Sequence, residues 1–254
     1  MNRKLSPSDA LRAARLQQTA ADNDRILLLL SRYLNLTPRL LDARTVRDLA
    51  ADCRIPQEDA FRTLLAAACG LDIPDNADDR RLERLYFQPG LVRLSPAVYR
   101  NDAYVKTVRF GDLSVGNWRF THGEYRAFEP FVCGHPILTP DFREIPRIGY
   151  FDEPFRFPSV TEGGVEWMTV TPNEVETMRE PIAQAGGRVL TYGLGLGYFA
   201  FHAAEKVSVE SVTVVERDTD LIGLFRERIL PQFPHREKIR LIAADAFGFT
   251  ERQM

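Results

Sequence analysis

The sequence contains little cysteine: Cys53, Cys69 and Cys133 are the only three among 254 residues, and they are far apart. An odd number of widely spaced cysteines argues against a disulfide framework and against a zinc site built on a C-x-x-C pair. The four histidines show no metal-ligand spacing either. We therefore predict reduced thiols, no metal ion and a cytoplasmic location.

Long apolar runs are also missing. The most apolar segment, Ile26 to Leu30, is flanked by Arg25 and Arg32 and is far shorter than the roughly 20 residues that cross a bilayer. The opening Met-Asn-Arg-Lys is not followed by the apolar core of a signal peptide. These absences predict a protein that is not exported and does not enter a membrane.

Neither sign of charge dominates, since 33 basic and 35 acidic residues give a formal net charge of -2. Such a chain has no overall positive field to attract nucleic acid or anionic lipid. Its composition, 44% hydrophobic and 27% charged, is that of a globular protein with an apolar core. We therefore expect a small-molecule substrate rather than a nucleic acid.

Helical periodicity dominates the first third of the chain and predicts an all-α accessory domain over residues 1–84. Residues 45–65 resemble a helix-turn-helix, so a non-enzymatic DNA-binding regulator is one alternative. The first 80 residues, however, carry equal numbers of basic and acidic side chains. The second helix would begin with Glu58 and Asp59, which DNA phosphates repel. An accessory or dimerisation domain is the better interpretation.

Short β-like runs separated by proline and glycine predict a small β-rich unit or lid over residues 85–166. Two such runs are Tyr104 to Phe110 and Asn117 to Phe120. The aromatic residues of this region could line a substrate pocket, although core packing is the commoner role of such clusters.

An α/β pattern occupies residues 167–254. It opens with a helix for which Thr171 is a suitable cap, Pro172 a suitable first residue and Glu174 the partner in a capping box. A buried strand, Arg188 to Tyr192, then leads into the loop Gly193-Leu194-Gly195-Leu196-Gly197 and a further helix. Glycines let a backbone turn sharply and approach a ligand closely, and a helix N-terminus offers N–H groups to it.

Acidic residues follow the next two predicted strands. Glu216 ends the strand Ser211 to Val215, and Asp245 follows the strand Ile239 to Ala243. The carboxyl ends of parallel strands share one edge of a sheet, where a carboxylate can accept the hydroxyl protons of a ribose. Asp245 is placed to accept a hydrogen bond from an adenine amino group. The loop and the two acids together predict one adenosine site.

These segments resemble the motifs of class I S-adenosylmethionine-dependent methyltransferases. The helical region and the β-rich unit ahead of them look like those of a poorly characterised bacterial subgroup of methyltransferase-like proteins. The resemblance implies a Rossmann-like fold in which the glycine loop holds the methionine part, the second-strand acid binds ribose and the third-strand acid faces adenine. It implies S-adenosylmethionine as cofactor and these cofactor-binding residues: Tyr192, Gly193, Leu194, Gly195, Gly197, Glu216, Arg217, Asp245 and Ala246.

Two other cofactors match parts of the pattern. A dinucleotide loop reads G-x-G-x-x-G, whereas Tyr198 occupies the sixth position here, which favours S-adenosylmethionine over NAD. A β-rich unit ahead of the cofactor domain also resembles the aminopropyltransferases such as spermidine synthase, which use decarboxylated S-adenosylmethionine. That family normally has an aspartate after the glycines, where this chain has Tyr198.

The predicted fold is therefore α/β: an all-α domain, a β-rich unit and a Rossmann-like parallel sheet. We expect that sheet to be incomplete, because the sequence stops after the third-strand acid, and a second copy of the chain could cover its open edge. No catalytic base can be assigned by pattern. His122, Glu124, His135 and Glu174 are the candidates.

Overall fold

The computed structural model describes residues 6–111 and 113–251. The structure is mixed α/β, and its helices are α1 (Pro7–Leu36), α2 (Ala43–Cys53), α3 (Gln57–Ala68), α4 (Ala77–Leu82), α5 (Gln88–Gly90), α6 (Pro96–Arg100), α7 (Ala103–Thr107), α8 (Pro172–Gln184), α9 (Tyr198–Glu205), α10 (Thr219–Leu224) and α11 (Ala246–Glu251). The strands are β1 (Leu91–Arg93), β2 (Leu113–Val115), β3 (Trp118–Tyr125), β4 (Phe131–Val132), β5 (Ile137–Leu138), β6 (Glu144–Ile145), β7 (Ile148–Tyr150), β8 (Phe155–Glu162), β9 (Val165–Thr169), β10 (Gly187–Tyr192), β11 (Val209–Glu216) and β12 (Ile239–Ala243).

The described residues form two compact units. Unit 1 comprises residues 6–94 and 125–155, and unit 2 comprises residues 95–111, 113–124 and 156–251. The predicted β-rich segment 85–166 is thus divided between the two. The physical reason is that β3 and β8 are neighbours in one sheet, so the chain between them leaves unit 2 and returns to it.

Unit 1 combines helices α1 to α5 with two small sheets. One sheet has the order β1-β7-β4, with β1 parallel and β4 antiparallel to β7, and β5 pairs with β6 in the other. Ile26 of α1 and Phe61 and Leu65 of α3 have no exposed surface. Burying such side chains supplies about 1.5 to 3 kcal/mol each, and this apolar cluster holds the unit together.

The region predicted as a helix-turn-helix contains α2 and α3. Arg54 ends α2 in the left-handed conformation, with φ of 54°, and Pro56 precedes α3. The first turn of α3 carries Glu58 and Asp59 as the sequence indicates. Asp59 pairs with Arg62 of the same helix at 2.7 Å.

Unit 2 contains the antiparallel sheet β2-β3-β8-β9 and the parallel sheet β10-β11-β12. In the parallel sheet, Tyr192 is paired with Val215, and Glu216 with Ala243. The three strands therefore end side by side. Helix α9 connects the first pair, and α10 with a π-helical turn at Phe225–Ile229 leads towards the third strand.

The predicted strands of the α/β region are confirmed as β10, β11 and β12. In the described part of the chain β10 is an edge strand, and Leu190 and Tyr192 on it keep 45% and 43% of their surface exposed. That a second copy of the chain covers this edge stays a prediction.

The prediction of a β-like run from Tyr104 to Phe110 is wrong. Residues Ala103–Thr107 form helix α7, because the Asp102 side chain caps it by accepting hydrogen bonds from the N–H groups of Tyr104 (2.9 Å) and Val105 (3.2 Å). Such local capping outweighs the β propensity of Tyr, Val and Thr. The predicted run Asn117 to Phe120 falls largely in β3.

Helix α1 is the longest helix described, but polar residues recur throughout it. No helix within the described residues has both the length and the apolarity to span a bilayer.

A charged pair joins α1 to α4 in unit 1 and gives the first testable prediction. Asp22 is 6% exposed and accepts hydrogen bonds from both terminal nitrogens of Arg81, at 2.7 and 2.8 Å. Burial raises the pKa of Asp22, but the hydrogen bonds from Arg81 and Gln18 outweigh it, so the pKa lies below its usual value. The ionised carboxylate is therefore the form that stabilises unit 1.

We expect Asp22→Asn to lower the free energy of unfolding at pH 7 by about 1 to 3 kcal/mol. The difference in the free energy of unfolding between the variant and the parent should shrink as the pH falls below about 3.9, the pKa of an unperturbed aspartate. The reason is that the Asp22 carboxyl of the parent then becomes protonated and, like the asparagine, uncharged. Urea unfolding followed by circular dichroism at several pH values measures this. Asp48→Asn, which breaks only the exposed pair with Arg44, is the control. Equal effects of the two variants would contradict the prediction.

Candidate functional site

The loop between β10 and α9 depends on glycine. Gly193, Gly195 and Gly197 have φ values of 82°, 49° and 77°, which residues with a Cβ rarely adopt. A Cβ on Gly195 would lie 2.1 Å from the sulfur of Met168, and one on Gly197 would lie 2.5 Å from Phe225 Cζ. A Cβ on Gly193 would meet nothing within 4 Å. Two glycines thus allow close packing, and the first one borders open space.

The Glu216 carboxylate fixes this loop to the end of β11. Its Oε2 accepts a hydrogen bond from the N–H of Leu194 at 2.9 Å. Its Oε1 accepts from the N–H groups of Arg217 (2.8 Å) and Asp218 (3.0 Å). Three backbone N–H groups at the sheet edge therefore converge on one half-buried carboxylate.

A second group of contacts holds the other half of the loop. The Tyr104 hydroxyl donates to the Leu196 carbonyl at 2.5 Å. Tyr198, at the first position of α9, donates its hydroxyl to Asp102 at 3.0 Å, and His202 Nε2 is 3.3 Å from the same carboxylate. Pattern analysis gave Asp102 and Tyr104 no part in the site, because they lie about 90 residues before the loop. The only available signal was an aspartate at a helix N-cap position.

The larger of two cavities at this edge, called the edge cavity, has a volume of about 410 Å³. Glu216, Arg217, Asp245 and Ala246 line it, together with the aromatic residues Trp167 and Phe247. Those two rings keep 56% and 83% of their surface exposed, and exposed aromatic faces can stack on a flat ligand.

Asp245 has a structural role as well as a place in the edge cavity. Its Oδ1 accepts from the N–H of Gly248 at 3.0 Å, which caps the start of α11. The residue is exposed.

The smaller cavity, called the loop cavity, has a volume of about 220 Å³. It is lined by residues of β9, α8, β10 and the loop, and by the first three residues of α9, Tyr198, Phe199 and Ala200. The two cavities share Met168, Tyr192 and Gly193 as lining residues. They therefore meet at Gly193.

Two features of the loop cavity are suited to a charged ligand. No side chain caps α9, whose N-cap is Gly197, and the first N–H groups of a helix have no acceptor within it. Among the described residues that line the cavity, Glu174 is the one that carries a charge. Burial raises the pKa of Glu174, and the nearby charge of Glu166 raises it further. An acid in this position can pair with a cation or hold a proton.

The capping box predicted for α8 is not formed. Thr171 is the N-cap residue, but its side chain makes no capping hydrogen bond. The Thr171 side chain is buried instead, and Glu174 lines the loop cavity.

All nine residues predicted to bind a cofactor line one or both of these cavities. Tyr192 and Gly193 line both; Leu194 and Gly197 line the loop cavity; the edge cavity has Gly195, Glu216, Arg217, Asp245 and Ala246. The sequence prediction gave no site role to Trp167, Met168 and Phe247, which also line these cavities.

Of the four candidate bases, Glu174 alone lines these two cavities. His122 and Glu124 lie on β3, and His135 belongs to unit 1. Burial lowers the pKa of His122, and Arg156 lowers it further. Within residues 6–111 and 113–251, no group of three histidine, cysteine or acidic side chains is placed to hold a metal ion.

The Glu216 contacts predict a stability effect in the absence of any ligand. In Glu216→Gln an amide NH2 replaces one acceptor oxygen and faces a backbone N–H, so we expect the free energy of unfolding to fall by about 1 to 3 kcal/mol. Glu210→Gln changes an exposed glutamate of the same strand and should change the free energy of unfolding by less than about 0.5 kcal/mol. Urea unfolding compares the two. An unaltered midpoint for Glu216→Gln would show that the carboxylate does not hold the loop.

Glu174 gives a prediction with the opposite sign. The pKa of Glu174 is raised in the folded state. Between the pKa of an unfolded glutamate and this higher value, the folded protein keeps a proton that the unfolded chain has released. The free energy of unfolding therefore falls as the pH rises through that range. We expect Glu174→Gln to match the parent near pH 4 and to be more stable at pH 7. Thermal unfolding at both pH values tests this, with the exposed Glu227→Gln as the control. A variant less stable than the parent at pH 7 would refute it.

No protein-family model matches this chain, and no curated protein sequence matches it. Among solved structures, the chain is similar to the crystal structure of spermidine synthase from Thermotoga maritima, with 17% sequence identity and a TM-score of 0.31. That match covers 38% of this chain and 40% of the spermidine synthase chain. A likeness of this size shows nothing about the activity of this chain.

Proposed function

We propose that unit 2 binds S-adenosylmethionine and transfers its methyl group to a small-molecule acceptor. The observation that supports this most directly is the pair of cavities that meet at Gly193. A nucleoside joined to an amino acid has the same two-part shape. The edge cavity, at about 410 Å³, is within the range of pockets that hold small ligands.

The edge cavity suits the adenosine part. Glu216 Oε2 accepts one backbone hydrogen bond, and a carboxylate oxygen has a second lone pair that a ribose hydroxyl can use. Trp167 and Phe247 offer faces to the adenine ring, and Asp245 offers an acceptor to its amino group. The residues present therefore fit the nucleoside.

The loop cavity suits the amino-acid part. Its carboxylate would accept from the uncapped N–H groups at the start of α9, where the helix dipole also favours an anion. Its ammonium would pair with Glu174. When bound, S-adenosylmethionine supplies a methyl group on a positively charged sulfur, and the chain's task is to hold and orient it.

An aminopropyltransferase that uses decarboxylated S-adenosylmethionine is the second candidate. The observation that favours it is the charge of the loop cavity, since the described residues of its lining include Glu174 and no basic side chain. A donor that ends in an ammonium alone satisfies that carboxylate. The uncapped N–H groups of α9 would then lack an anionic partner, which is why we favour the carboxylated donor.

Calorimetric titration tests the proposal with four ligands: S-adenosylmethionine, S-adenosylhomocysteine, decarboxylated S-adenosylmethionine and NAD. We expect the first two to bind with micromolar affinity, about -8 kcal/mol. Glu216→Ala should weaken them by more than about 1 kcal/mol, and Glu210→Ala, on the same strand, should not. Thermal unfolding of each variant shows whether it is folded at the titration temperature.

The outcomes separate the candidates. Tighter binding of decarboxylated S-adenosylmethionine would replace the methyltransferase with an aminopropyltransferase. Preferred binding of NAD would contradict both, and so would the absence of binding by all four ligands.

A further inference from the structure

The edge cavity is bordered by an exposed tryptophan that packs against a second tryptophan. Trp167, on β9, lines the edge cavity and keeps 56% of its surface exposed. Its ring centroid lies 5.9 Å from that of Trp118, on β3, and the two ring planes meet at 83°. Edge-to-face pairs of this kind are a preferred arrangement of aromatic rings. Trp167 therefore has both a ring neighbour and a surface that is open at the cavity.

The two tryptophans reach across the antiparallel sheet of unit 2. Strand β8 lies between β3 and β9, so the backbones of the outer two strands are about 9.5 Å apart. Because the rings are in contact, the two side chains lie on the same face of the sheet. A smaller side chain at Trp118 would leave Trp167 without this contact.

Trp118 is held in place from several sides. It is 5% exposed and belongs to the apolar core of unit 2. On β3 it is paired with Val115 of β2. Its indole forms a hydrogen bond with the carboxylate of Asp218, in which the indole N–H is the donor. Burial and a charged acceptor together restrict the Trp118 ring to one position.

Asp218 connects the pair of tryptophans to the end of β11. Its carboxylate also accepts from the N–H of Leu221 at 2.8 Å, at the start of α10. Its own N–H donates to Glu216 Oε1 at 3.0 Å. A continuous series of contacts therefore runs from Glu216 through Asp218 and Trp118 to Trp167. Glu216 and Trp167, the two ends of the series, both line the edge cavity.

We propose that Trp118 is a positioning residue, which holds Trp167 as a platform on which the adenine ring of the ligand stacks. This inference rests on the proposed function of unit 2, in which the edge cavity holds adenosine. Stacking on an aromatic ring contributes strongly to the affinity for a base, and a ring that is already oriented loses less entropy when the base binds. Trp118 is not among the described residues that line the edge cavity, so it acts through Trp167.

Titration with adenosine tests the platform itself. Trp118 and Trp167 are the only tryptophans of the sequence, so the tryptophan fluorescence reports on this pair alone. We expect adenosine to quench that fluorescence in the parent in a saturable manner, with a Kd below about 1 mM. Trp167→Ala should weaken adenosine binding, measured by calorimetry, at least about fivefold, as expected for one lost stacking contact.

Trp118→Leu tests the positioning role. It removes the ring against which Trp167 packs and leaves an apolar side chain in the core, and it should weaken adenosine binding at least about threefold. Phe120→Leu is the matched control, because Phe120 is fully buried on the same strand but stacks on Phe110. It should bind adenosine as the parent does. Thermal unfolding shows whether both variants are folded at the titration temperature.

Asp218→Asn tests the same series of contacts without a change in the core. Asparagine still suits a helix N-cap, but it has one acceptor oxygen for two donors, the Leu221 N–H and the Trp118 indole. We expect a folded protein that binds adenosine at least about twofold more weakly and whose tryptophan bands in near-UV circular dichroism are altered. Asp220→Asn, which removes the same charge from an exposed neighbour, should change neither.

The outcomes separate this inference from the proposed function. If the parent binds adenosine and both Trp118→Leu and Asp218→Asn bind it equally well, Trp118 is a core residue only and the proposed function stands. Equal weakening by Trp118→Leu and Phe120→Leu would also overturn the inference alone, as would a parent that binds S-adenosylmethionine but not adenosine. If the parent binds neither ligand, the proposed function fails and the inference fails with it. If Trp118→Leu is unfolded, Asp218→Asn decides.

Discussion

The Glu216 carboxylate is the contact on which the geometry of unit 2 depends. It accepts hydrogen bonds from Leu194 on one side and from Arg217 and Asp218 on the other. These bonds connect the glycine loop after β10 to the end of β11. Without them, three N–H groups at the sheet edge would lose a charged acceptor. The same carboxylate thus shapes the candidate site in the absence of any ligand.

The rest of the loop is held by side chains from distant parts of unit 2. Met168 and Phe225 occupy the space that a Cβ on Gly195 or Gly197 would need. Tyr104 holds the Leu196 carbonyl, and Asp102 holds the Tyr198 hydroxyl. Helix α7, which carries Tyr104 and follows Asp102, is therefore as much a part of the site's support as the parallel sheet. A rigid loop of this kind is what close contact with a ligand requires.

The two units place ligand-sized cavities at similar positions in unlike sheets. In unit 2 the cavities follow the carboxyl ends of β10, β11 and β12, and in unit 1 a cavity follows those of β1 and β7. In both, uncapped helix N-termini face the cavity, at α9 and at α3. The common reason is electrostatic, since parallel strand ends and helix starts bring unpaired backbone groups to one place. The charged residues that line the cavities then differ between the two units.

Local sequence determined the helical start of the chain, the strands β10 to β12, and the need for glycine between Tyr192 and Tyr198. Those features follow from periodicity, turn chemistry and the conformational freedom of glycine, which neighbouring residues alone decide. Local sequence failed at residues 104–110, because the Asp102 cap favoured a helix over the β propensity of its residues. Local sequence also does not indicate that the segment 85–166 contributes to both compact units, because the pairing of β3 with β8 is not visible from either strand alone.

Tertiary structure decided what the functional residues contact. Pattern analysis placed Glu216 at a ribose and Asp245 at an adenine, but it did not indicate that Glu216 holds Leu194 or that Asp245 caps α11. A tyrosine at a strand end, such as Tyr150, becomes notable only when packing buries its hydroxyl without a partner among the described residues. Sequence fixes which groups a chain carries and how each segment folds. Which of those groups are left unpaired, and what space lies before them, depends on contacts between residues far apart in the chain.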